Sequence, residues 1–325
     1  MMRHVLIPLT VLLAAVSGRA ADLDPYLPED SEVVINVNVR QIVDSTLFKN
    51  NALEAAQETL RGNDQIQDIL KDLGFDPFKD FDRLIVAAPI GAENDRGLLI
   101  AHGRFDTAKF KAKGEEAAKD NPDNLTIHKV LGGKHLLYEV NTPDLNSPIF
   151  VALAGRDTIL VSPGKDYVVA ALKKIGQAEK PALKNKNFQS LLEKVNDRQS
   201  LSVALVKAPA VEDALAKLPG DVKGMAEKIQ AVSGGVTITD EVKLELVLTT
   251  KDAEEAKDLK ESANAGLTLI LGVLGAFAQN DAKPEVEFLL EAAKSLRVTN
   301  KGEAVIIKGR ISSDLIEDTL KKKGK

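Results

Sequence analysis

The chain has 325 residues, 44% of them hydrophobic and 28% charged, a balance that suits a folded globular protein. It contains no cysteine and no tryptophan. That excludes a disulfide framework, a thiol nucleophile and a cysteine-ligated metal centre, and it leaves little surface for stacking sugars. A net charge of −5 supplies no positive field for nucleic acid or for an anionic membrane.

Residues 1–20 read as a secretory signal peptide. Arg3 and His4 open it, an apolar run follows from Val5 to Val16, and Gly18 and Ala20 stand at −3 and −1 of a cleavage point before Ala21. The run is shorter than the roughly 20 apolar residues that cross a bilayer. Loss of Arg3 and Arg19 with the signal leaves 41 basic against 48 acidic residues. The expectation is an exported chain in the periplasm or at the cell surface, with no transmembrane segment after cleavage. A remainder of about 300 residues can bury roughly three quarters of its unfolded surface without disulfide staples.

The first strand is expected over 33–39, where Val33, Ile35, Val37 and Val39 alternate with Val34, Asn36 and Asn38. That phase puts Val33, Ile35 and Val37 in the core and both asparagines on a solvated face. Two helices follow, one striped by Leu53, Ala56 and Leu60, the next by Ile66, Ile69, Leu70 and Leu73 and ended by Gly74. Phe75, Phe78 and Phe81 repeat every three residues and read as an apolar plug holding this connector to the core. Strands are predicted over 83–88 and 97–105, then a helix capped by Asp106 and Thr107. Four short strands (125–130, 134–140, 149–154, 158–162) and a helix over 166–175 close this half.

The second half repeats the order: a strand over 201–206, two short helices, a hairpin (236–239 with 242–248), and a long helix capped by Thr250 and Asp252. A further helix near Pro284, a hairpin (296–299 with 304–311) and a terminal helix complete it. The fold class is therefore α+β, antiparallel sheets flanked by helices, with an internal duplication of a strand-helix-helix-hairpin-helix unit. The halves are 21–178 and 199–325, joined by a charged linker over 179–198 that carries one short helix.

The stretch from Tyr26 to Val39, YLPEDSEVVINVNV, resembles the start of exported bacterial proteins of unknown function, of a kind common in planctomycete-type bacteria. The passage Gly74-Phe75-Asp76-Pro77 leading through Asp80 and Asp82 into a strand is similar too. The resemblance implies an exported α+β protein and brings no catalytic residues with it.

Few residues offer chemistry. If Gly132-Gly133 makes a tight turn, residue 130 pairs with 135 and 128 with 137, and His128, His135 and Glu139 share one face of a hairpin. Two imidazoles and a carboxylate suit several divalent metals, but a solvated hairpin face explains them as well, and no metal or cofactor is assigned. Ser162 and Lys165 have Ser-x-x-Lys spacing without the partner motifs of penicillin-recognising enzymes, so Ser162 and Asp166 read as turn and cap residues. Asp76, Asp80 and Asp82 lack the spacing and distal glutamate of a calcium loop. Gly266 to Ala278, GLTLILGVLGAFA, is apolar all round and is expected in the interior, or else as the wall of an apolar cavity or a segment touching lipid.

No catalytic, cofactor-binding or metal residue is therefore assigned. The function expected is non-catalytic binding or a structural role through protein contacts, with an unknown protein partner or self-association. A carrier or sensor of an apolar small molecule held between sheet and helices is the alternative. A hydrolase without a recognisable motif is the third, and it requires His102, His128 or His135 to converge in a cleft. Nucleic acid is not an expected partner.

Overall fold

The computed structural model describes residues 23–91, 96–141, 147–177, 181–209, 217, 220–280 and 283–323; residues 1–20, expected as a signal peptide, lie outside them. β1 (Val33–Val37) is followed by the short helices α1 (Val39–Asp44), α2 (Thr46–Asn51), α3 (Leu53–Arg61) and α4 (Asp64–Leu73) and by the single turn α5 (Pro77–Asp80). β2 (Phe81–Ala88) and β3 (Leu98–Gly103) lead into α6 (Thr107–Asp120). Two hairpins come next, β4 (Leu125–Val130) with β5 (His135–Val140) and β6 (Ile149–Leu153) with β7 (Thr158–Ser162), then α7 (Lys165–Lys173). Beyond α8 (Lys186–Leu192) lie β8 (Leu201–Val206), α9 (Gly220–Lys228), β9 (Ala231–Ile238), β10 (Val242–Thr249) and the long α10 (Ala253–Asn280). The chain closes with α11 (Pro284–Ser295), β11 (Arg297–Lys301), β12 (Ala304–Ile311) and α12 (Ser313–Lys323).

The twelve strands among the described residues form one antiparallel sheet in the order β11-β12-β10-β9-β8-β1-β2-β3-β7-β6-β5-β4. The two halves thus share one continuous sheet, joined where β1 pairs with β8 (Ile35 opposite Val203, Asn36 opposite Ser202). Outward from that join the order runs β1-β2-β3-β7-β6 on one side and β8-β9-β10-β12-β11 on the other. The correspondence is one of connectivity.

One face of the sheet carries the main core. Val34, Ile85, Ile100, Leu160 and Ala204 pack there beneath Leu27, Val168, Leu172 and Phe188. Leu183, Phe188 and Leu192 sit fully inside this cluster, so the segment expected as a linker is a core element.

β1 runs in the opposite phase to the expectation. Val34 and Asn36 face the core, and Ile35 is 37% exposed. In a central strand both neighbours present apolar residues on both faces, so the buried face is set by where the covering layer lies. Here that layer is residues 23–31 with α7 and α8, over the Val34 side. The strand also stops earlier than expected, because the Asn38 side chain accepts from Gln41 N and starts α1.

On the opposite face the described helices lie mainly toward the two ends of the sheet, with α1 against β2. α6 lies over the β4–β7 end, where Gly114 abuts Tyr138, and the first half of α10 lies over β10–β12 through Ala256, Leu259, Leu248 and Val305. Between these layers Ile35, Val86 and Leu201 are more than one-third exposed.

The apolar stretch of α10 overturns the expectation of a core helix. Leu269 is 71% exposed, Phe277 60%, Val273 54% and Ile270 53%. At 1.5 Å per residue the 28 residues of α10 span about 42 Å, whereas the eight residues of β12 span about 26 Å. The helix outruns the strand on which it is seated, and it packs against α11 as well as against β11 and β12.

Candidate functional site

The polar residues of the core face gather around Asp24, which the sequence reading did not single out. Asp24 Oδ1 accepts from Tyr26 N at 3.0 Å, and Oδ2 lies 2.5 Å from His102 Nε2 and 3.6 Å from Arg83 Nη2. His102 Nδ1 contacts Thr158 Oγ1 at 3.1 Å. Hydroxyl, imidazole and carboxylate stand in the order of a nucleophilic triad. Thr158 is only 2% exposed, however, and its hydroxyl donates to Asp157 Oδ1 at 3.2 Å, so a substrate has no approach to that oxygen. The group ties the segment around Asp24 to β3 and β7. His102 gave the available hint: a polar ring in the run LLIAHG needs a buried partner.

The other histidines lie elsewhere. β4 and β5 pair in the expected register, Val130 opposite His135 and His128 opposite Leu137. Leu131, Gly132 and Gly133 all take positive φ in the connecting turn, which explains the two glycines. His128 Nε2 meets the diagonal Glu139 Oε2 at 2.6 Å. Among the described residues no group of three or more His, Asp or Glu side chains is placed to hold a metal. His102, His128 and His135 do not converge.

The remaining sequence candidates have structural partners. Ser162 Oγ donates to Gly97 O at 2.5 Å and accepts from Gly164 N, bracing the turn before α7, whose cap is Gly164 and not Asp166. Asp76 caps α5, Asp80 accepts from Asp76 N, and Asp82 pairs with Arg40, so the three carboxylates diverge. The aromatic plug forms with one substitution of partner. Phe75 and Phe81 meet edge-on at 4.7 Å, and Phe105 completes the cluster in place of Phe78.

Beside this plug a cavity of about 330 Å³ opens under α3 and α4, lined by Leu60, Leu70, Leu73, Phe81, Phe105 and Ile159. An adjoining cleft of about 440 Å³ shares Leu73 and Phe110 with it and extends past Tyr138 to Val151. A third cleft, about 450 Å³, lies between residues 25–30 and α7. There Tyr167 Oη donates to Asp30 at 2.6 Å and Arg96 also reaches the carboxylate. Burial pushes the Asp30 pKa up, but these hydrogen bonds outweigh it and hold the group below the usual aspartate range. Lys174 donates to Leu27 O at 2.5 Å, and burial lowers its pKa.

No family model matches the chain. No curated protein matches it either. Among solved structures it is similar to crystal form III of TP0453, with a TM-score of 0.50 and 14% identity over 93% of this chain and 98% of that one. Crystal form I of TP0453 gives 0.46 and 12% over the same shares. At 14% identity the first likeness speaks for the fold alone, an α+β arrangement of helices and antiparallel sheet shared along nearly the whole chain.

Proposed function

We propose that this is an exported, non-catalytic binding protein that acts through apolar contacts, with the distal half of α10 as its docking surface and a second copy of the chain as the occupant. The observation that carries the reading is the exposed stripe of Leu269, Ile270, Val273 and Phe277. Exposed contiguous apolar surface on a folded chain marks a contact site. Residues 262–280 carry no charged side chain, so this is the part of an acidic surface where a second copy meets no like charge. A helix stripe is also self-complementary about a two-fold axis. The matching strand order on either side of the β1–β8 join supports an internal duplication behind this architecture.

Sedimentation velocity over a range of concentrations tests it. The mature chain should associate reversibly, and a Leu269→Ser/Val273→Ser variant with unchanged circular dichroism should remain monomeric. A wild-type chain that is monomeric throughout, or that sediments only with added phospholipid vesicles, overturns self-association.

The phenylalanine-lined cavity favours a second role, carriage of an uncharged apolar molecule. Lys113 at the mouth of the adjoining cleft is already bridged to Asp72 and Glu116, so among the described lining residues no cation is left unpaired for an anionic head group. A neutral fluorophore such as N-phenyl-1-naphthylamine should bind, and Leu73→Phe should reduce binding. Equal fluorescence from the filled variant would remove this role.

A further inference from the structure

We propose that a small cavity on the core face, between β1, β2, β8 and residues 23–27, receives the head group of a primary alkylamine. The cavity measures about 50 Å³, more than the roughly 10–15 Å³ that one water needs. Its floor is Asn36, Ser202 and Ile85, and its walls are Leu23, Leu27, Leu192 and Val195.

Asn36 is the anomaly that the cavity explains. It is 8% exposed on the core face of a central strand, and its Nδ2 donates to Ser202 Oγ at 3.4 Å. Its Oδ1 is buried and has no hydrogen-bond partner among the described residues. Buried amide oxygens are almost always paired, because leaving one unpaired forfeits its hydration without return.

The other polar groups around the cavity define what would pair with it. Asp24 accepts from Tyr26 N and meets His102 Nε2, and the Arg83 guanidinium, also on the cavity wall, lies 3.6 Å from its carboxylate as an ion pair. Asp197 lines the same cavity, and its carboxylate makes no ion pair and accepts no hydrogen bond among the described residues. Beside the Arg83–Asp24 ion pair, the acceptors left without a partner among the described residues are the Asn36 amide oxygen and the Asp197 carboxylate, with the Ser202 hydroxyl next to them. Two of these three can only accept. A ligand with several N–H donors and a positive charge satisfies both acceptors together, which an alcohol does only in part, whereas a carboxylate would pair with neither of them. The aliphatic walls suit an alkyl stem leading out past Val195.

The test is thermal unfolding of the mature chain, followed by circular dichroism, with n-butylammonium, 1-butanol and butyrate at matched concentration and ionic strength. Butylammonium should raise Tm saturably, and the other two should not. Asp197→Asn, at the half-buried mouth, should fold normally and lose most of that rise. Asn36→Leu should lose it entirely while melting at or above the wild-type temperature without ligand, because the unpaired oxygen is gone. Absence of a saturable rise, an equal rise with 1-butanol, or an undiminished rise in Asp197→Asn would each overturn the assignment and leave Asn36 as a hydrated core residue.

Discussion

The same substitution at two phenylalanines separates what is core in this fold from what is only apolar. Phe188 in α8 is fully buried, whereas Phe277 in α10 is 60% exposed. Truncating a buried phenylalanine removes its transfer free energy and leaves a cavity, so Phe188→Ala should cost about 3–5 kcal/mol. At Phe277 only about two fifths of the residue is hidden. Complete burial of such a side chain is worth about 1.5–3 kcal/mol, so the loss there stays near 1 kcal/mol or below. Alanine is also the better helix former by up to about 0.7 kcal/mol, which offsets much of it. Urea unfolding monitored by far-ultraviolet circular dichroism resolves a difference of this size, and the slope should be the same for both variants. Measured at a concentration where the chain is monomeric, a Phe277→Ala loss as large as that of Phe188→Ala would mean that the stripe on α10 is packed within its own chain. It would refute the docking surface along with the helix-length argument. A Phe188→Ala loss below about 0.5 kcal/mol would mean that residues 181–195 lie on the surface as an ordinary linker.

Three further outcomes follow from local geometry. Asp30 titrates below the ordinary aspartate range in the folded chain, so it stabilises the fold above its unfolded pKa and that contribution disappears as the pH falls through its folded pKa. Urea midpoints measured from about pH 6 down to pH 3 should therefore fall less steeply in Asp30→Asn than in the wild type; parallel slopes would remove Asp30 from the acid limb. Gly235→Ala places a Cβ 2.1 Å from Leu201 O, where backbone must shift, so the β8–β9 pairing should weaken by about 1–3 kcal/mol in the same urea assay. A neutral result would show that the two strands separate without cost. Gly114→Ala brings a Cβ to 2.5 Å from Tyr138 Cε1, a ring that packs edge-on against Phe110, and should lower Tm by displacing α6 from the sheet. An unchanged Tm would mean that Tyr138 rotates freely.

Local signals were readable in this sequence wherever the determinant is itself local. The Gly132-Gly133 turn fixes the β4–β5 register, and the contact of His128 with the diagonal Glu139 follows from it. The cap at Asp106 and the stripe of α3 belong to the same class. What could not be read depends on distant chain. Whether Val34 or Ile35 faces inward is settled by residues 23–31 and by helices more than a hundred positions away. The exposure of Leu269 and Phe277 comes from a mismatch of lengths between α10 and β12, which hydrophobic periodicity does not register. Asp24 and His102 are 78 positions apart, and only the sheet brings them together. Of the cavity beneath Asn36, the sequence offered the odd residue on β1 and nothing of Asp197 or Ser202.

The join between the halves explains why the unsatisfied features cluster where they do. On one face α6 lies toward one end of the sheet and α10 with α11 toward the other, with α1 against β2 between them. On that face Ile35, Val86 and Leu201 are left partly in solvent. On the other face the join is closed by residues 23–31 and by α8. They cover it with a mixture of leucines and polar groups: Leu23, Leu27 and Leu192 beside Asp24, Arg83, Asn36 and Ser202. A seam sealed by separate segments is where imperfect complementarity leaves space, and a polar residue in such space keeps a free valence. The amine pocket therefore sits at the join, while the apolar stripe sits at the far end of the longest helix. The two sites share no residue, so a variant in one should leave the ligand response of the other unchanged, and coupling between them would require a rearrangement of the β1–β8 contact itself.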